Sequence, residues 1–281
     1  SACGGGEAPA PEAPSTPEKP ALATDKGVDV AAKKIKIGTL NDESGPAAVI
    51  GKPYAQGKRI LAQAVNAGDL KILPDGWTVE LVERDHGYNP QKSLQAFKEI
   101  EDQVLFFATS FGTPNTIPLF PMLEAKNVVA YPASLSSTMA NNKNTPPLGP
   151  SYVLEAKRGM EWIVSQNEDK AAVKAAIVYQ NDDYGKDGLA GWKAAAETHG
   201  IAIVSEQAVS PGQKDMTAVI SALKEAGATH VLLTVLPSGT GPILGTSAKL
   251  KYMPVWLGST PAWIDAFYKA LPPAVFTNYY Q

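Results

Sequence analysis

The run Thr109-Ser110-Phe111-Gly112-Thr113-Pro114-Asn115-Thr116 concentrates side chains able to hold a polar or anionic group. It follows an apolar run, residues 104–108, and precedes a helical pattern. That order places the hydroxyls in a loop at the carboxyl end of a buried strand, where open α/β sheets bind ligands. Such a loop can grip a molecule, but the sequence supplies nothing beside it to transform one. The three histidines, His86, His199 and His230, are far apart and lack metal-ligand spacing. His86 beside Asp85 suggests a base, yet it reads better as part of a loop before a helix cap. His199 precedes Gly200 at a helix end, where a cation suits the dipole, and His230 opens a strand. No nucleophile elbow, phosphate-binding loop or dinucleotide fingerprint occurs. Asp182 and Asp183, ahead of Tyr184-Gly185, read as a helix cap. The expectation is a binding protein with no catalytic residues, no metal and no cofactor.

Composition narrows the class further. The 281 residues suffice for one large domain or two lobes, with 44% hydrophobic and 19% charged residues. A net charge of −3 and the lack of a basic stripe argue against a nucleic-acid partner. No run of about 18 apolar residues is present to span a membrane. The single cysteine, Cys3, excludes an internal disulfide. It stands in Ser1-Ala2-Cys3-Gly4, which resembles the end of a bacterial lipobox, and a Pro-, Ala- and Glu-rich segment follows. The expectation is a lipidated Cys3 on a disordered tether, residues 1–33, holding the protein to a membrane.

The elements that must position the loop alternate strand and helix. Residues 35–40 and 78–83 read as strands, followed by 104–108 and 127–131. Between the first two lies a helix carrying Gly57, Ile60, Leu61, Ala64 and Val65 on one face, closed by Gly68. Asn89 and Pro90 suit the cap and first position of the next helix. Residues 141–150 form a turn-rich break, after which the alternation restarts. Helices are expected over about 153–165, after Gly185, and around Met216, Val219, Ile220 and Leu223. Strands are expected at 175–179, 201–205, 230–235 and 254–257, and a last helix over about 262–271. Such alternation implies parallel sheets with right-handed crossovers. Two series imply an α/β protein of two Rossmann-like lobes with a ligand cleft between them.

These motifs, in this order, resemble the type I periplasmic solute-binding proteins of ABC importers, specifically the leucine/isoleucine/valine-binding family. The markers are Ser44-Gly45-Pro46-Ala47 with Gly51, Asp85 with Asn89-Pro90, and Phe111-Gly112-Thr113-Pro114. Tyr131-Pro132-Ala133-Ser134, Asp183-Tyr184-Gly185 and Gly212-Gln213-Lys214-Asp215 follow. The resemblance implies an extracytoplasmic receptor that captures a small organic solute and delivers it to an ABC permease in the membrane. The solute would be a branched-chain amino acid, an amide, or a carboxylic or aromatic acid. A sensory ligand-binding domain of the same fold is the alternative. The resemblance further implies lobe 1 over 34–148 with a returning strand in 275–281, lobe 2 over 149–274, and an incomplete first lobe.

Carried over by position, the resemblance implies a set of cleft residues. Ile50 takes a place often held by an aromatic side chain. Thr113, in the Phe111-Gly112 loop, takes that of a hydroxyl that binds a carboxylate. Ala133 and Leu135 fall where the family offers backbone and a second hydroxyl, which Ser134 or Ser136 can supply here. Tyr184 matches a cleft tyrosine, and Tyr152 stands beside Glu155 just after the break. Val235 takes a place often held by an aromatic. Thr260 stands where amino-acid binders carry the carboxylate that pairs with an ammonium. From its own neighbours, Thr260 and Pro261, Trp263 reads either as a cleft-rim residue or as a packing one.

Overall fold

A computed structural model describes residues 26–280. Cys3 and residues 1–25 of the expected tether lie outside the described residues. Two sheets form in succession. The first comprises β1 (Val28–Asp29), β2 (Lys34–Asn41), β3 (Thr78–Asp85), β4 (Phe107–Phe111) and β5 (Ala130–Ala133). β2 is paired in parallel with β3 and with β4, β4 in parallel with β5, and β1 lies antiparallel along the start of β2. Residues 28–29, expected in the tether, are thus part of a sheet.

The helices of this half are α1 (Ala48–Ala67), α2 (Pro90–Ile100), α3 (Thr113–Thr116), α4 (Phe120–Lys126) and α5 (Ser137–Ala140). Asn89 caps α2 as its type predicts, accepting a hydrogen bond from the Lys92 N–H at 3.0 Å. Asn89→Ala is expected to cost about 1 kcal/mol, read as a lowered urea midpoint with an unchanged slope. Phe97 and Ile100 of α2 pack on Leu40, Phe107, Leu119 and Leu123 to form the core.

The second half begins with α6 (Tyr152–Gln166), capped by the Ser151 hydroxyl. It continues through β6 (Lys174–Gln180), α7 (Asp183–His199), β7 (Ala202–Val209) and α8 (Thr217–Glu225). β8 (His230–Thr234), α9 (Pro237–Lys249), β9 (Val255–Gly258), α10 (Phe267–Ala270) and β10 (Tyr279–Tyr280) complete it. The strand order is β10-β9-β8-β6-β7, all parallel. Both faces of this sheet are covered. Met216, Val219, Ile220 and Leu223 pack with Trp256 on one side, and Trp192 with Met160 and Ile163 on the other.

Several expectations shift. The third and fourth strands begin about three residues later than the apolar runs suggest, so Thr109, Ser110 and Phe111 belong to β4 itself. The apolar approach, residues 104–106, is buried or half-buried without being a strand, and periodicity alone does not separate the two. The stripe expected on α1 is only partly covered: Val65 is buried, but Ile60 and Leu61 are 55% and 47% exposed. Spacing says which residues share a face, not whether anything packs on it. The expected helix over 262–271 shrinks to α10, with a 3₁₀ turn at Thr260–Ala262. The expected returning strand does not join the first lobe: Tyr279 and Tyr280 pair with Trp256 and Leu257 at the edge of the second sheet.

Candidate functional site

The carboxyl ends of the two sheets face each other across a cleft. On the first half, Asp42 follows β2 and accepts hydrogen bonds from the N–H groups of Gly45 and Ala47, at 2.6 and 2.8 Å. Burial pushes its carboxyl above the ordinary range. This turn fixes the start of α1, so Ile50 and Tyr54 face the cleft. After β4, Gly112 sits at φ 90°, a left-handed value, and a Cβ there would lie 2.6 Å from Asn115 Nδ2 and 2.7 Å from the Tyr88 ring. Only glycine makes this corner, which delivers Thr113 to the cleft wall.

The hydroxyls of the 109–116 run divide by task. Ser110 and Thr116 bond to each other at 2.7 Å beneath the surface, and Thr116 also donates to the Gly112 carbonyl at 2.9 Å. They brace the corner. Thr109 lies buried in β4. Thr113 alone borders the cleft, its hydroxyl 2.7 Å from that of Ser134. Tyr152 closes on the same point, its phenol beside the Ser134 hydroxyl and the Leu135 backbone. Burial drives the Tyr152 and Tyr184 hydroxyls upward from their ordinary values, so both stay protonated. The rings of Tyr152 and Tyr184 meet edge to face at 4.7 Å. The Tyr184 hydroxyl is held by Ser259 at 2.7 Å and by the Val235 carbonyl at 3.2 Å.

These groups border a cavity of about 500 Å³. From the first half it takes Val49, Ile50, Pro53, Tyr54, Tyr88, Phe111, Gly112, Thr113, Pro132, Ala133, Ser134, Leu135 and Leu148. From the second it takes Tyr152, Tyr184, Leu236, Thr260, Pro261, Trp263 and Ile264. None of these side chains is charged. Among the residues expected at the cleft, Ile50, Phe111, Gly112, Thr113, Ala133, Ser134, Leu135, Tyr152, Tyr184 and Thr260 all stand at this cavity, as does Trp263.

Val235 does not. Its side chain is buried among Val178, Leu233 and Ile243, and only its carbonyl serves the site. Leu236 reaches the cleft instead, because successive residues of an extended chain point to opposite sides. Val49, Pro53, Tyr54, Tyr88, Pro132, Leu148, Pro261 and Ile264 also line the cavity, and sequence reasoning does not single them out as cleft residues. The helical spacing of Tyr54 from Ile50 was the available signal for that residue. Ser136 lies apart from the cavity, its hydroxyl capping α5.

The two halves touch around the cavity. Leu236 packs with Ala47, Tyr88 and Phe111. Gln180 donates to the Tyr88 hydroxyl at 3.4 Å, and the Ser137 N–H donates to Asp187 at 3.0 Å. His86 is fully buried beside this contact and accepts from the Tyr88 N–H at 3.1 Å through Nδ1. Burial lowers its pKa to about 4, against an opposing pull from Asp85. The ring is therefore neutral at pH 7. Among the described residues no cluster of His, Cys, Asp and Glu is placed to hold a metal, and no helix is long and apolar enough to cross a membrane.

Comparison with known proteins bears on the same region of the chain. Residues 34–281 match the family model described as periplasmic binding protein. The chain is similar to Leu/Ile/Val-binding protein homolog 3 of Brucella melitensis, 26% identical over 70% of this chain and 53% of that protein. It is also similar to the leucine-, isoleucine-, valine-, threonine- and alanine-binding protein of Pseudomonas aeruginosa, 24% identical over 75% of this chain and 56% of that one. A solved structure of a fatty acid ABC transporter substrate-binding protein from Thermomonospora curvata superimposes with a TM-score of 0.79. That pair is 25% identical, over 91% of this chain and 62% of the other. The chain spans about half the length of the curated relatives it matches.

Proposed function

This chain belongs to the periplasmic binding protein family, of the type I, Leu/Ile/Val-binding kind, and from that premise we propose that it is the solute-capturing part of an ABC importer. The carrying observation is the cavity itself. It is enclosed by residues of both halves, it is largely apolar, and three of its hydroxyls, those of Thr113, Ser134 and Tyr152, stand together at one end. A solute held there touches both lobes, so its binding favours the closed arrangement over an open one. A solute touching one lobe alone would shift nothing. Closure presents one shape of the two lobes to a permease, which is how capture couples to delivery. The relatives' names point the same way, since they denote binding proteins for amino acids and for a fatty acid. The receptor reading places the protein outside the cytoplasm, and a lipid on Cys3 would hold it at the membrane surface.

Native mass spectrometry of the protein purified gently from its own cells identifies the retained solute. Titration calorimetry with that solute then reads the site. Thr113→Ala is expected to weaken binding by about 1–3 kcal/mol, the loss of a hydrogen bond to a buried polar or charged head. Unchanged affinity would remove Thr113 from the site. Turnover of the retained compound would replace the receptor reading with an enzymatic one.

A further inference from the structure

We propose that the cavity selects an apolar monocarboxylate over the α-amino acid of the same carbon skeleton. The inference rests on reading the cleft as a solute site and goes on to name the class of solute. At one end of the cavity the hydroxyls of Thr113, Ser134 and Tyr152 stand together. They have protons to donate, so a carboxylate is matched there. An ammonium, which carries only donors, needs an anionic or acceptor-rich partner elsewhere on the wall.

Asp265, next to Ile264, is exposed and opens with Trp263 on a different cavity. Four further carboxylates lie near the cleft, and each receives the protein's own donors. Asp42 receives two backbone N–H groups before α1. Asp182 receives the N–H groups of Tyr184 and Gly185 together with the Gln180 amide. Asp187 receives the N–H and hydroxyl of Ser137. Glu155, the nearest candidate for an ammonium, receives the N–H and the hydroxyl of Thr260. None of the four borders the cavity; Glu155 opens on a separate one of about 470 Å³. Thr260 stands between Glu155 and the solute space, bordering both cavities. Beside it Pro261, Trp263, Ile264 and Leu236 present hydrocarbon and indole. An α-ammonium brought into this wall loses its water and gains no counter-charge.

The test uses the full-length protein freed of retained solute and two matched pairs at pH 7: 4-methylpentanoate against leucine, and 3-phenylpropanoate against phenylalanine. Each pair differs only in the α-ammonium. The acid of at least one pair is expected to bind about a hundredfold or more tighter than its amino acid. An amino acid that binds as tightly as its partner, or tighter, overturns the inference and leaves the receptor reading intact. If none of the four compounds binds, the inference also fails. The receptor reading fails with it only if native mass spectrometry finds no retained solute either.

Discussion

Gly51→Ala is expected to lower stability by about 3 kcal/mol or more, and to abolish solute binding in whatever folded protein remains. A Cβ at this position would sit 1.7 Å from the Asp42 carbonyl oxygen. That atom is backbone and cannot swing aside like the end of a long side chain. Relief requires α1 to move away from the end of β2, yet the Asp42 carboxylate ties the intervening turn through Gly45 and Ala47. Moving the helix carries Ile50 and Tyr54 away from the cavity. The measurement is urea unfolding followed by far-UV circular dichroism, with calorimetry on the folded fraction. A midpoint equal to that of the parent would show that α1 is not seated against Asp42.

The second large effect is a loss of stability in mild acid centred on His86. Its folded pKa is about 4, below the ordinary value of 6.5, because burial disfavours the charged ring. Between those two values the unfolded chain binds a proton that the folded protein refuses. Stability from this group is therefore complete above about pH 6.5 and falls as the pH drops toward 4. The full loss is about 3 kcal/mol, from some two and a half pKa units at 1.36 kcal/mol each. Asp42 and Asp182 act in the opposite sense, since burial raises their carboxyls and favours the folded state in acid. His86→Asn keeps an acceptor for the Tyr88 N–H but cannot take up the proton. Its unfolding free energy should vary less between pH 6.5 and 4 than that of the parent. Parallel profiles for the two proteins would remove His86 as the cause.

His86 also shows how far the chain can be read by itself. Its position after a strand and before the Asn89 cap puts it in a loop ahead of a helix, where the structure has it. That it is fully buried, beside the contact between the lobes, follows only once the second half folds against Tyr88 through Gln180 and Leu236. Val235 and Leu236 make the complementary point. The family resemblance points to the end of β8 as a cleft edge, but a one-residue difference in register reverses which side chain faces inward. The apolar runs at 104–108 and 127–131 announced two strands and misplaced their starts, because burial extends beyond the hydrogen-bonded ladder.

Local chemistry in the chain determined the alternation of strands and helices, the Asn89 and Asp182 caps, the corner at Gly112 and the gathering of hydroxyls near Thr113. The caps and the left-handed φ at Gly112 depend on neighbours a few residues away, through backbone sterics or a short side chain reaching its own backbone. The Tyr88 ring that closes on Gly112 is brought there by the fold. Three features were decided by contacts between residues distant in sequence. One is which hydroxyls face the cleft and which brace it. Another is the capture of Glu155 by Thr260, 105 residues away. The third is the attachment of Tyr279–Tyr280 to the second sheet rather than the first. Those outcomes depend on which surfaces meet when two lobes pack, and spacing along a single strand or helix does not encode that.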